Sequence, residues 1–319
     1  MIKEDKGMKN REMNRSGNEC SNVCHIGDGN FINDGIVKRK AYAKVNLALD
    51  VVRRREDGYH EVRMIMQTVG IFDVLTFTAQ EEPGIIVRTD KEELPGDENN
   101  LVYKAARLVT DAYPGCGGVK IELQKNIPMA AGMAGGSTDA AAVFHGMNEL
   151  FQLGMSVEEM CSLGIGIGAD IPYCIQGKTA LSEGIGEILT KIKDAPPCFV
   201  LIAKPDIDVS TKYVYENLHA EELDRHPDID GMREAIEKGD LQGMAERMEN
   251  VLETVTVRKY PVIEKIKEAM KAEGALNALM SGSGPTVFGV FDEEGKAKAA
   301  FEKLKGTSLA RDVFLSEWV

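Results

Sequence analysis

The sequence predicts mixed helices and strands folded into two domains. Three observations carry this. The chain has 319 residues, enough for two domains of ordinary size. Stretches with the two-residue period of strands alternate with stretches at helical spacing along most of it. A proline pair, Pro196 and Pro197, interrupts the pattern just before a fresh apolar strand, which places a boundary near Ala195. The predicted domains are therefore residues 38–195 and 196–319.

Residues 1–37 are rich in Asn, Gly, Lys and Glu and show no sustained period. They read as a disordered extension, with the native start expected near Val37. Order is expected from Lys38. In "RKAYAKVNLALDVVRRREDGYHEVRMIMQTVGIFDVLTFTAQ" alternating, β-rich stretches break at "REDGYH", which predicts two strands and a turn. "GIIVRT" predicts a short strand, and "ENNLVYKAARLVTDAY" a helix with Leu101, Ala105, Leu108 and Ala112 on one face. "GVKIELQKNIP" is a strand that runs into "MAAGMAGGS", a loop dense in small residues. "STDAAAVFHGMNELFQL" follows as a helix, with apolar Ala140, Val143, Phe144, Met147 and Phe151 in register and Ser137 near its start, where hydroxyl caps are favoured. "SVEEMCSLGIGIGADIPYCIQG" predicts a helix, a turn and a short segment. Beyond the boundary come strand "CFVLIAK", helix "RKYPVIEKIKEAMKAEG", strand "ALNALMS", turn "GSGP", strand "TVFGVF" and helix "EEGKAKAAFEKLK".

Composition removes several classes. Hydrophobic residues are 43% and charged residues 28%, a globular balance. The net charge of −13 and the absence of a basic patch argue against a nucleic-acid-binding surface; the longest basic runs are residues 38–40 and 53–55. The longest strongly apolar run, residues 198–203, is too short for a bilayer, so no membrane partner is expected. The N-terminus lacks a signal-peptide core, and six scattered cysteines read as reduced and cytoplasmic. Cys20, Cys24 and His25 form an incomplete zinc spacing, so no metal site is assigned.

Three stretches carry chemistry. In "IPMAAGMAGGSTDAAAVF" a strand leads through glycines at 132, 135 and 136 into a helix. A helix start offers unpaired N–H groups and partial positive charge, and glycine admits close approach, so phosphate is the expected ligand. The spacing is neither a Walker A loop nor a dinucleotide fingerprint. A flexible turn before a closely packed helix is the alternative. In "AKVNLALDVVRRREDGYHEV" Lys44 and Asn46 share one strand face. That face is either a site wall or an edge charge. Asp57-Gly58 is a hairpin signal, and Tyr59-His60 after it offers a ring face and an imidazole to a planar base. In "LMSGSGPTVFGVF" the serines and glycines form either a tight hairpin or a second backbone wall around an anion.

Together these stretches resemble the GHMP kinase superfamily of small-molecule kinases. "PMAAGMAGGSTDAAA" resembles its phosphate loop and "SGSGPTVFGVF" its C-terminal motif. Within the superfamily, "AKVNLALDVVRRREDGYHEV" and "GIGADIPYCIQG" are more specific. They resemble the members whose substrate carries a cytidine diphosphate, in the non-mevalonate route to isoprenoid precursors. The resemblance runs from Lys38 to the C-terminus. It implies a two-domain α+β GHMP kinase fold, with an N-terminal domain like ribosomal protein S5 domain 2, a ferredoxin-like C-terminal α/β sandwich, and the site in the cleft between them.

The resemblance also implies the reaction: ATP as co-substrate, with Mg²⁺, gives its γ-phosphoryl group to a tertiary hydroxyl of a small cytidine diphosphate substrate. Asp170 matches the catalytic aspartate and Lys44 its lysine partner. Pro128, Met129, Ala130, Ala131, Gly132, Met133, Ala134, Gly135, Gly136, Ser137 and Thr138 match the ATP loop, and Asn100 and Lys125 match further nucleotide contacts. Tyr59 and His60 match the cytidine-recognition pair, Tyr215 an aromatic closing the other face of the base, and Asn46 a residue near the acceptor end. Mg²⁺ is expected to be held by phosphate oxygens and water rather than by a protein ligand set. The chain departs from the family pattern at Ala134, where glycine is usual; alanine serves there provided its φ is negative. Monomer and homodimer both remain open. The rival readings are another kinase of the superfamily, a nucleotide-binding regulator without catalysis, and a nucleic-acid module.

Overall fold

The computed structural model describes residues 35–319. Residues 1–34, with Cys20, Cys24, His25 and nearly all of the expected extension, lie outside the described residues. The chain forms β1 (Ile36–Arg54), β2 (His60–Gln80), β3 (Ile85–Thr89), α1 (Leu101–Ala112), β4 (Gly118–Gln124), α2 (Gly135–Phe151), α3 (Val157–Gly164), α4 (Ile171–Gln176), β5 (Thr179–Glu183) and β6 (Ile188–Lys191). There follow β7 (Phe199–Lys204), α5 (Thr211–Glu216), α6 (Ile229–Lys238), α7 (Leu241–Glu246), β8 (Glu249–Asn250), α8 (Glu253–Lys259), α9 (Val262–Ala272), β9 (Asn277–Met280), β10 (Val287–Phe291), α10 (Glu294–Lys305) and β11 (Asp312–Glu317). Strand pairing is already present two residues before Lys38, because Ile36 and Val37 pair with Thr78 and Phe77.

β1 and β2 form a long antiparallel hairpin at the centre of a seven-stranded sheet of order β3-β4-β2-β1-β8. β2 is longer than any single neighbour. Its far edge takes β5 at residues 64–67 and β4 at residues 74–80. The β1–β2 register shifts between Tyr42 and Lys44 and between Asn46 and Ala48. Such bulges re-aim side chains, and these two bracket Lys44 and Asn46. α1 and α2 pack together, and Phe77, Phe144, Val109 and Ile121 lie at 0% exposure in the core between the helices and the sheet.

The second sheet is antiparallel, of order β11-β7-β10-β9, with α9 and α10 packed on it. The architecture is two-domain α+β. The sheets are tied to each other: β8, late in the chain, pairs with β1, and Trp318 bridges to Val69 on β2. One core cluster holds Val45, Leu47, Met133, Ile202 and Phe288 from both halves. The expected helix over 258–274 is in fact two, because Pro261 lacks a donor and caps α9 instead of continuing α8. Ser137 is not the cap of α2; Ala134 holds that position, with no side-chain bond.

Candidate active site

The loop from β4 to α2 is pinned on two sides. On one side Lys44 N–H donates to the Met133 carbonyl at 3.2 Å, and the Thr138 hydroxyl donates to the Tyr42 carbonyl at 2.7 Å. On the other, the Ser281 hydroxyl donates to the Gly132 carbonyl at 2.9 Å. Gly132 has φ +71°, and a Cβ there would stand 2.4 Å from the Ser281 carbonyl, so only glycine fits between loop and turn. The condition of a negative φ at Ala134 is not met: its φ is 56°. Ala130 is also left-handed, at φ 49°. Backbone that alternates in hand gathers N–H groups into an anion-binding concavity. The loop reaches that shape with alanines where glycine would be easier.

Beside the loop opens a cleft of about 1060 Å³. Lys44, Asn46, Tyr59, His60, Asn100, Lys125, residues 128–137, Asp170 and Tyr215 all line it. Thr138 does not: its N–H donates to the Ala134 carbonyl, and its hydroxyl is spent on Tyr42.

At the centre, Lys44 Nζ donates to Asn46 Oδ1 at 2.8 Å and lies 3.7 Å from Asp170 Oδ2. The Lys44 side chain is 6% exposed and that of Asp170 35%. Asp170 precedes α4 and makes no side-chain cap bond, so its carboxylate faces the cleft rather than the helix. The Asn46 amide donates to Met64 Sδ at 3.1 Å, which leaves its oxygen turned to Lys44.

At another wall, the His60 and Tyr215 rings lie 5.1 Å apart, tilted by 40°. Tyr59, 61% exposed, closes the hairpin turn beside them, where Asp57 accepts its N–H at 3.1 Å. Burial, and then the Arg54 charge, lower the His60 pKa, so its imidazole is neutral at pH 7 and presents one donor and one acceptor. Burial raises the pKa of Tyr215, which stays a phenol.

Asn100 caps α1 by accepting the Val102 N–H at 2.9 Å, and its amide donates to the Pro95 carbonyl at 2.8 Å. Lys125 is not a free cation: its Nζ is held by Asp139 at 2.8 Å and by Asp73. Sequence reasoning missed both aspartates, although "GIFDVL" places a lone acid inside an apolar strand, a signal of a buried ionic partner. It also missed Asn250, which donates to the Met280 and Gly282 carbonyls, each at 2.8 Å, and so holds the SGSG turn against β8.

Comparison with known proteins bears on this cleft. Residues 100–178 match the family described as GHMP kinases N terminal domain, and residues 232–308 match GHMP kinases C terminal. The chain is 52% identical over 283 residues to the 4-diphosphocytidyl-2-C-methyl-D-erythritol kinase of Lachnoclostridium phytofermentans, covering 89% of this chain and 97% of that one. The chain belongs to the 4-diphosphocytidyl-2-C-methyl-D-erythritol kinase family. The family member of Clostridium perfringens is 49% identical over the same share of this chain, 89%, and 98% of its own. A crystal structure of 4-(cytidine 5'-diphospho)-2C-methyl-D-erythritol kinase superposes with a TM-score of 0.76 at 32% identity, over 88% of this chain and 98% of that one. Homoserine kinase from Cytophaga hutchinsonii, at 20% identity and TM-score 0.72, shares the fold. The chain is a small-molecule kinase by family, and ATP is the family's co-substrate.

Proposed function

We propose that this chain transfers the γ-phosphoryl group of ATP to the 2-hydroxyl of 4-diphosphocytidyl-2-C-methyl-D-erythritol, in isoprenoid precursor synthesis. The observation that carries it is the Lys44–Asp170 pair, 3.7 Å apart, in one cleft with the glycine loop and the His60–Tyr215 rings. A cytosine ring fits beside Tyr215 with its edge toward the neutral His60 imidazole, and Tyr59 flanks it. The triphosphate fits the loop at residues 128–137, with Asn100 and Lys125 at its border. Holding both ends of two long ligands brings the acceptor hydroxyl to Asp170 at high effective concentration.

In the step itself, the hydroxyl oxygen forms a bond to the γ-phosphorus as the bridging P–O bond to ADP breaks. The hydroxyl proton passes to the Asp170 carboxylate, and Lys44 offsets the charge developing on the transferred group. Asn46 keeps Lys44 in place through its 2.8 Å bond and borders the acceptor end. Thr138 supports the loop from behind through its hydroxyl bond to the Tyr42 carbonyl. Among the described residues, no three carboxylate, imidazole or thiolate side chains cluster to hold a resident metal. Mg²⁺ enters this proposal as the ion that ATP brings with it, held by phosphate oxygens and water. Among the described residues, no helix is long and apolar enough to cross a membrane. A cytoplasmic location and a domain division near residue 195 belong to the same proposal.

A coupled ADP-release assay tests it, with ATP, Mg²⁺ and the cytidyl substrate, beside mevalonate and homoserine as controls. Turnover on the cytidyl substrate alone is expected. Turnover on a control but not on it would remove the base pocket from the reading and leave the kinase.

A further inference from the structure

The mechanism above leaves one buried charge cluster unused. Asp73 on β2, Lys125 just past β4 and Asp139 in the second turn of α2 meet beneath the loop. Asp73 spends one oxygen on Lys125 Nζ and the other on the N–H groups of Asn126 and Ile127, the latter at 2.8 Å. Asp139 Oδ2 accepts from Lys125 Nζ at 2.8 Å, but its Oδ1 is buried without a partner. A dry, unpartnered carboxylate oxygen is costly when the group is ionised and much less so when it is an acid. Two carboxylates here share one ammonium.

The titratable groups that face Asp139 are Lys125, Asp73 and the Cys174 thiol of α4, which burial keeps protonated. Burial raises the Asp139 pKa to about 8; Lys125 opposes the rise and Asp73 adds to it. Burial also pulls on the Lys125 ammonium, but Asp139 and Asp73 outweigh it and raise its pKa. Lys125 and Asp139 line the cleft. A Cβ added to Gly135 would stand 3.3 Å from Lys125 Nζ, so the ammonium lies directly under the residue that opens α2.

We propose that Asp139 is a positioning residue for the nucleotide, carried as the neutral acid in the bound state, so that Asp73 balances Lys125 and no excess negative charge stands beneath the phosphates. The inference rests on the nucleotide reading of the loop. With Asp139 ionised, the cluster holds one negative charge in excess and repels the triphosphate; with Asp139 protonated, it is balanced. Nucleotide affinity is therefore full at low pH and falls as pH rises through the Asp139 pKa. Above that pKa each binding event takes up a proton.

Calorimetric titration with ADP at fixed Mg²⁺ tests this between about pH 7.5 and 9.5, above the last phosphate pKa of roughly 6. The wild-type Kd is expected to rise about tenfold over that range, and that of Asp139→Asn by less than about threefold. At about pH 8.5, buffers of unlike ionisation enthalpy are expected to report roughly half a proton or more taken up per ADP by the wild type. This second readout stands even if the variant does not fold. A wild-type Kd that ignores pH, no proton uptake, or a variant with the wild-type slope overturns the inference. ADP that binds normally with no pH dependence overturns it alone; no ADP binding at any pH overturns the nucleotide reading as well.

Discussion

Lys44 and Asp170 are 126 positions apart in sequence and 3.7 Å apart in space. If Asp170 takes the proton and the glycine loop takes the phosphates, Asp170→Asn lowers kcat on the order of 10²–10⁴-fold while the Kd for ADP holds, because the loop is untouched. Lys44→Met lowers kcat comparably; calorimetry beside the coupled assay separates the two effects. The His60 pKa lies below the ordinary value because burial and then Arg54 disfavour the charge, so the ring is neutral at pH 7. If His60 reads the base edge, recognition is retained at neutral pH and lost only as pH falls through that lowered pKa, below the ordinary value of about 6.5. The KM for the cytidyl substrate is expected to rise there in the wild type and to stay flat in His60→Gln, read from pH–rate profiles. The Lys44 and Asn46 face was legible from a period of two. The sequence put Lys125 beside the loop but not in ion pairs, since Asp73 lies 52 positions back and Asp139 lies 14 positions on, across the glycine loop.

The loop between β4 and α2 owes its shape to three positions of positive φ, and two of them are alanines. Left-handed alanine costs roughly 1–2 kcal/mol, and glycine gives back about 0.5–1 kcal/mol through its looser unfolded chain. Ala134→Gly is thus expected to be neutral or slightly stabilising in urea titration, and Ala134→Val to lose more than about 1 kcal/mol. A lower midpoint for Ala134→Gly would show that the alanine methyl packs usefully. Gly132→Ala is a different case. Its Cβ would meet the carbonyls of Ser281 at 2.4 Å and Gly284 at 3.0 Å, and backbone cannot swing aside as a side chain can. It is expected to cost about 1–3 kcal/mol and to raise the KM for ATP. The strand–loop–helix order was visible in the sequence. The hand of each loop residue was not, because φ at 134 is set by contacts with β1 and the SGSG turn.

Across the whole molecule, the two sheets share continuous apolar core, and specific polar ties cross between them as well. Asn250 accepts the Leu252 N–H at 3.0 Å and donates to the Met280 and Gly282 carbonyls. Arg63 on β2 reaches Glu183 at 2.9 Å and Asp230 at 2.8 Å, which links the first sheet to α6. Asn250→Ala leaves three buried backbone groups without that partner and is expected to cost about 3 kcal/mol, measured by urea unfolding. Arg63→Ala loses partly exposed pairs and is expected to cost less than about 1 kcal/mol. Equal losses would mean that the Arg63 network contributes as much as the buried amide.

The sequence by itself determined the mixture of helices and strands, the hairpin at "REDGYH", the strand–glycine loop–helix unit and the resemblance that names the family and implies its α+β fold. All of these live in local periodicity, turn chemistry and short motifs, where neighbours in sequence are neighbours in space. Only the tertiary structure decided that Thr138 turns away from the cleft, that Asp73 and Asp139 claim Lys125, that Ala134 is left-handed, and that β8 crosses into the first sheet. Each depends on which distant segment supplies a partner for a buried polar or backbone group, and that choice is made by packing rather than by any residue alone.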